Sequence, residues 1–312
     1  MIAVLAGGVG AARFLAGLVR AVGPGEEVTA VVNTGDDLEL HGLHVSPDVD
    51  TVTYTLAGLV DPVNGWGIAG DSFEVLAALE QLGAPTWFRL GDRDLATHLY
   101  RTSRLRSGAS LSAVTAELAA RRGVRARILP MSDDPVRTRV KLAGGEEVEF
   151  QEYFVRRQHA VAVAGVRYAG ALEASPAPGV LEALTSAELV VVAPSNPVLS
   201  IGPILAVPGI ADLLERRRQE VVAISPIVAG RALKGPAARL LVELGSEASV
   251  VGIARVLRRI AGTLVVDEAD ADLAPAIEAE GVACVVTATV MESVEVAARL
   301  ACAVLEAGAA RA

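Results

Sequence analysis

Between Asn33 and Tyr54 the chain reads Asn-Thr-Gly-Asp-Asp-Leu-Glu-Leu-His-Gly-Leu-His-Val-Ser-Pro-Asp-Val-Asp-Thr-Val-Thr-Tyr, and five carboxylates fall within it: Asp36, Asp37, Glu39, Asp48 and Asp50. Its glycine and proline punctuation predicts a loop, where crowded anions repel one another unless a cation sits among them. Hard carboxylate oxygens select Mg²⁺ or Ca²⁺. Asp36, Asp37, Asp48 and Asp50 are therefore the candidate ligands of one of these two ions, and Asp36 and Asp37 are the candidate catalytic carboxylates. The competing reading is a solvated acidic loop. Position argues against it, because the stretch follows an apolar run, Val28–Val32, and ligands of open α/β sheets bind where strands end. His41 and His44 lie three apart in the same stretch, and beside so many hard oxygens a supporting or structural role is expected for them.

A second site element opens the chain. Residues 2–5 form a short apolar strand, Gly7-Gly8-Val9-Gly10 follows, and Phe14, Leu15, Leu18, Val19 and Val22 recur at helical spacing after it. Strand, glycine turn and helix make a phosphate cradle: glycine lets the backbone approach an anion, and the helix N-terminus offers free N–H groups. Gly7, Gly8, Val9 and Gly10 are thus candidate nucleotide-phosphate contacts. A nicotinamide site is disfavoured, since Arg13 stands where the third glycine of the dinucleotide fingerprint belongs and the second strand ends in Asn33, with no acid for a ribose. The Gly-Lys-Ser/Thr ending of an ATP-binding P-loop is also missing.

Two later loops repeat the strand-end pattern. The apolar run 189–193 leads into Ser195 and Asn196 between prolines, and the run 221–224 leads to Arg231 and Lys234; hydroxyl, amide and cationic groups there suit a nucleoside and a diphosphate. Further strands are expected at 264–266 and 282–286, and helices at 51–60 (with Thr51 as N-cap), 72–82, 95–105, 110–122 and 293–305. Trp66 and Trp87 both sit near loops and could stack on a planar ligand or fill core. Residues 287–291 suggest no chemistry. A hairpin at 136–142 and 147–150 interrupts the alternating strand–helix pattern. The expected architecture is an α/β, Rossmann-like, mostly parallel sheet flanked by helices, with residues 1–122 and 171–312 as core and 123–170 as a smaller α+β insertion.

Bulk composition excludes other classes. A chain of 312 residues with 52% hydrophobic residues can bury a large core. The formal net charge of −9 and the lack of a basic stripe argue against nucleic acid. No apolar run reaches membrane-span length, and the chain opens as a strand rather than a signal peptide; together with two cysteines, Cys284 and Cys302, expected as buried, reduced thiols, this points to the cytoplasm. Alanine-rich apolar surface makes a homodimer the expected assembly. No Ser-His-Asp, Cys-His or zinc-ligand spacing appears, so covalent hydrolase chemistry is unsupported.

Taken together, residues 6–11, 33–37, 42–51, Trp87-Phe88-Arg89-Leu90-Gly91-Asp92-Arg93-Asp94 and Pro194-Ser195-Asn196-Pro197 resemble the CofD/FbiA family, the 2-phospho-L-lactate or phosphoenolpyruvate transferases of coenzyme F-420 biosynthesis. The resemblance runs in order along essentially the whole chain. It implies transfer of a phosphate bearing a three-carbon acid from a guanosine-diphosphate-type donor to the ribityl hydroxyl of the deazaflavin Fo, with release of GMP and assistance from Mg²⁺. It also implies that Asp50 and Arg89 contact Fo. The related gluconeogenesis-factor family, which binds nucleotide-sugars without known catalysis, shares the glycine turn and is the alternative; the 48–51 and 87–89 stretches favour the transferase.

Overall fold

The computed structural model describes residues 1–232 and 237–310. In chain order, β1 (Ile2–Ala6) leads through α1 (Gly8–Val22) to β2 (Val28–Val32), a small hairpin of β3 (Leu38–Leu40) and β4 (Leu43–Val45), and helices α2 (Pro47–Leu56), α3 (Glu74–Gln81), α4 (Asp92–Arg106) and α5 (Leu111–Arg121). Then come β5 (Arg127–Pro130), β6 (Arg137–Leu142), β7 (Glu147–Glu149) and β8 (Val163–Ala169). The remaining strands are β9 (Leu189–Val192), β10 (Val221–Ile224), β11 (Ile227–Val228), β12 (Arg231–Ala232), β13 (Thr263–Val266) and β14 (Ala283–Val286), before a closing helix, Val294–Ala309.

Seven strands form one sheet in the order β14-β13-β10-β9-β1-β2-β5, and every pairing in it is parallel. Both faces are covered, so the central strands are buried throughout and read as unbroken apolar runs. Within β1 the pleat sends Ile2, Val4 and Ala6 into one hydrophobic cluster and Ala3 and Leu5 into the opposite one. On the first of these faces α1 packs on the closing helix, where Gly17 admits the backbone of Ala297.

From β1 the chain steps outward to β2 and β5, returns to the other side of β1 at β9, and proceeds through β10 and β13 to β14. The reversal between β1 and β9 is a topological switch point, where strand ends diverge and leave a crevice. Across it the Ser195 hydroxyl donates to the Gly7 carbonyl oxygen at 2.9 Å.

The expected α/β architecture and interruption are present, with one shift of boundary. Residues 127–130 belong to the main sheet as its edge strand β5, paired with β2. The separate layer is the three-stranded antiparallel sheet β7-β6-β8, which follows β5 and packs through its own cluster around Val140, Phe150 and Tyr153. The larger correction concerns 47–56. Pro47 takes the first helical position, with Ser46 before it, so α2 starts at the proline and includes Asp48 and Asp50 in its first turn. Two of the five carboxylates expected to crowd in a loop, Asp48 and Asp50, are thus carried by a helix, where two residues of separation turn side chains by ~200°.

Candidate active site

A cavity of about 910 Å³ opens at the carboxyl ends of the strands. Its floor is the glycine turn, Gly7 to Gly10; one wall carries Asp36, Asp48 and Asp50, another Trp66, Trp87, Phe88 and Arg89. Ser195 and Asn196 from the switch point, Phe150 and Phe154 from the insertion, and Thr289 to Glu292 complete it. The turn is closely packed: a Cβ at Gly7 would come within 2.5 Å of Ser200 Cβ, and one at Gly10 would strike the Pro194 carbonyl oxygen. Gly8 adopts φ of +74°, the left-handed region that glycine enters at no steric cost.

The four aspartates are all buried, which removes the solvated-loop reading, and they divide into two kinds. Asp48 accepts from Asn33 Nδ2 at 2.9 Å and faces the Gly8 N–H at the start of α1. Burial, opposed by these hydrogen bonds and reinforced by the nearby Asp37 charge, pushes its pKa up to about 7. Asp36 is raised well above the usual carboxylate range, first by burial and then by the Asp48 charge, and its Oδ1 is buried with no hydrogen-bond partner among the described residues. These two acids carry unmet demand for a cation.

Asp37 and Asp50 carry none. Asp37 accepts from the Ser46 hydroxyl at 2.7 Å and pairs with His44 Nε2 at 2.9 Å, and it does not line the large cavity. Asp50 has both oxygens on the buried guanidinium of Arg101. Of the four candidate metal ligands, Asp37 and Asp50 are thus paired with His44 and Arg101, while Asp36 and Asp48 have no ion-pair partner among the described residues, where no three His, Cys, Asp or Glu side chains come together as a metal group. The physical reason is the start of α2 at Pro47, which points Asp48 towards α1 and Asp50 towards α4. His44 serves to hold Asp37, and His41 occupies the β3–β4 turn at φ 53°.

Of the remaining candidates, Gly7 to Gly10, Ser195, Asn196, Trp66, Trp87 and Arg89 all reach the cavity. Arg89 is exposed, its guanidinium held 4.5 Å over the Phe73 ring. Asn196 also caps the turn after it, its side-chain oxygen accepting from Val198 and Leu199 N–H. Arg231 is exposed on the β11–β12 hairpin and does not line the cavity, and Lys234 lies outside the described residues. The thiols also differ from expectation: Cys302 is exposed and Cys284 half-buried, the latter with its pKa pushed up to about 11 by burial.

Several lining residues carried no recognisable sequence signal. Thr289 is buried there because Asp267, at the end of β13, accepts its N–H at 2.8 Å and its hydroxyl at 3.0 Å. Arg13, met in the sequence only as a missing glycine, lies one turn into α1, lines the cavity and has no hydrogen-bond or ion-pair partner among the described residues. His98 and Tyr54 reach it from α4 and α2.

A glycine-turn helix, a desolvated acid pair and an aromatic wall meet at the switch point of a parallel sheet, the place where α/β proteins of this architecture bind ligands. The family model for 2-phospho-L-lactate transferase CofD matches residues 2–301. A phosphoenolpyruvate transferase of Kitasatospora aureofaciens is 46% identical over 96% of this chain and 95% of its own length, and a 2-phospho-L-lactate transferase of Methanosarcina mazei is 41% identical over 86% of this chain and 87% of its own. The chain belongs to the CofD family of transferases. A crystal structure of a UPF0052 family member from Bacillus halodurans shares the fold with a TM-score of 0.66, at 19% identity and covering 97% of this chain and 99% of that one. Among the described residues no single helix is long and apolar enough to cross a membrane.

Proposed function

We propose that this protein transfers a phosphate bearing a three-carbon acid from a guanosine-diphosphate-type donor to the ribityl hydroxyl of Fo, releasing GMP. The observation that carries the reading is the pair Asp36 and Asp48, buried side by side in charge beneath the glycine turn with their proton affinities raised. Such a pair fits Mg²⁺: it offers hard oxygen ligands, one of them unpartnered, in a place where two ionised carboxylates without a cation are costly. Asp36 and Asp48 would hold the ion, and the chemistry it supplies when bound is neutralisation of the donor's diphosphate charge.

The chain's own groups provide the rest. The N-terminus of α1 and the cation of Arg13 face the donor's anionic oxygens, and Ser195 and Asn196 its nucleoside end. Asp50, Arg89 and the aromatic wall of Trp66 and Trp87 hold the planar acceptor. In the transfer, the acceptor's hydroxyl oxygen forms a bond to the distal phosphorus of the donor, the anhydride P–O bond to GMP breaks, and the hydroxyl proton is lost. Binding both reactants in one closed wall supplies positioning, the main contribution a protein makes to phosphoryl transfer. The 46% identity to a phosphoenolpyruvate transferase supports an enolpyruvyl donor.

The test is product mass spectrometry with Fo and the enolpyruvyl or lactyl guanosine diphosphate donor, with Mg²⁺ present and after chelation. Formation of the phosphoester and GMP only with Mg²⁺, and loss of at least about a hundredfold in kcat on Asp48→Asn, is the expected result. Turnover unaffected by chelation sinks the metal assignment, and no product with any donor sinks the transferase reading in favour of a nucleotide-binding role.

A further inference from the structure

The acceptor end of the cavity is organised by one helix, and we propose that Arg101 of α4 is the positioning residue that fixes Asp50 against the acceptor. The inference rests on the reading above that Asp50 and Arg89 face Fo. Arg101 is fully buried, with 0% exposure, which for a permanent cation demands a paired anion; its two Nη atoms are bonded, and Nε has no partner among the described residues. Its guanidinium forks onto both oxygens of Asp50, Nη1 donating to Oδ2 at 3.0 Å and Nη2 to Oδ1. Nη1 also lies 3.4 Å from the His44 carbonyl oxygen and 3.2 Å from His98 Nδ1.

A guanidinium only donates, so Nδ1 of His98 accepts and the imidazole carries its proton on Nε2. That nitrogen lies 3.2 Å from Asp94 Oδ1 without hydrogen-bond geometry, and Asp94 accepts from the Tyr54 hydroxyl at 2.7 Å. Asp50, His98, Asp94 and Tyr54 all line the cavity, so Arg101 is the hidden centre of a polar wall.

The same helix sets the second acceptor contact. Arg89 ends the loop that runs through Gly91 into α4, and Arg101 sits nine residues beyond Asp92 on that helix, ~13 Å along its axis. One helix thus bears the guanidinium that holds Asp50 and receives the loop that carries Arg89. With both oxygens forked by Arg101, Asp50 is held in one rotamer as a hydrogen-bond acceptor for a hydroxyl or N–H of the ligand, and it is withdrawn from metal binding.

A double-mutant cycle on the full chain tests this, using Fo fluorescence for the acceptor and GDP titration for the donor side. Arg101→Met and Asp50→Asn are each expected to weaken Fo binding by roughly 10- to 100-fold while GDP affinity stays within about twofold. In the double variant, which removes both charges and keeps the fold should the lone Arg101→Met fail, Fo affinity is expected to match Asp50→Asn alone. Arg101→Lys, which keeps charge without the fork, is expected to fall between wild type and Asp50→Asn. Multiplying losses in the double variant, or equal loss of Fo and GDP, overturn the role of Arg101. A wild-type protein that ignores Fo overturns the functional reading, and the proposal with it.

Discussion

Asp48 and Asp50 stand two residues apart on the first turn of one helix, are buried to the same degree, and have opposite fates. Asp50 is neutralised by a forked arginine that no solvent reaches, whereas Asp48 has only an amide and a backbone N–H, and its neighbour Asp36 has an oxygen with no hydrogen-bond partner among the described residues. The difference separates two uses of a buried charge. A paired carboxylate is fixed in place and stays ionised; one buried without a cationic partner bears the cost of its charge as a raised proton affinity.

The contrast breaks most severely at the paired end. Arg101→Met leaves the Asp50 charge buried alone and is expected to cost about 3–5 kcal/mol of unfolding free energy, read by urea denaturation at neutral pH, with the Asp50→Asn, Arg101→Met double variant recovering most of it. At the unpaired end the sign reverses. Asp48→Asn is expected to stabilise the metal-free protein by about 2–4 kcal/mol at pH 8, because it removes an ionisation that folding makes harder. Loss of stability in both variants would erase the distinction.

The pH dependence sharpens the same point. Asp48 titrates near 3.8 when unfolded and at about 7 when folded, so the native state binds the extra proton and the contribution of this group to stability falls as pH rises from about 4 to about 7. On the proposed reading that Asp48 holds Mg²⁺, the ion competes with that proton, and its affinity is expected to rise over the same interval and level off above it, by calorimetry in two buffers of different ionisation heat. Gly10→Ala, forced against the Pro194 carbonyl, is expected to cost about 1–3 kcal/mol and donor affinity together. The smallest effect belongs to Arg13→Ala: stability within about 0.5 kcal/mol of wild type, with the loss confined to KM for the donor.

Much of this was legible from the chain because it is local. The glycine turn after β1, the runs of β9 and β10 and the loops that follow them are written in consecutive residues, and their convergence follows from parallel-sheet topology. What was hidden is long-range. Nothing near Asp50 announces Arg101, 51 positions away, and nothing near Thr289 announces Asp267. The expectation of a free acidic loop failed at a single residue, Pro47, whose fixed φ suits the first position of a helix and so moved the start of α2 four residues ahead of Thr51. Arg13 stands out in the sequence only as a departure from the dinucleotide fingerprint, and that it lines the cavity emerges only from the fold.

Helix α3 buries none of its residues, and its first turn is held by Asp92, whose carboxylate accepts from the Glu74 and Val75 N–H groups at 3.0 and 3.1 Å. Asp71 anchors the other side of the segment, accepting from Arg93 and Asp94 N–H. The stretch bearing Trp66 and Phe73 is thus fastened at two acidic rivets rather than welded into the hydrophobic interior. A cover fastened in this way can change in length or in its aromatic rings without disturbing the packing of the sheet beneath.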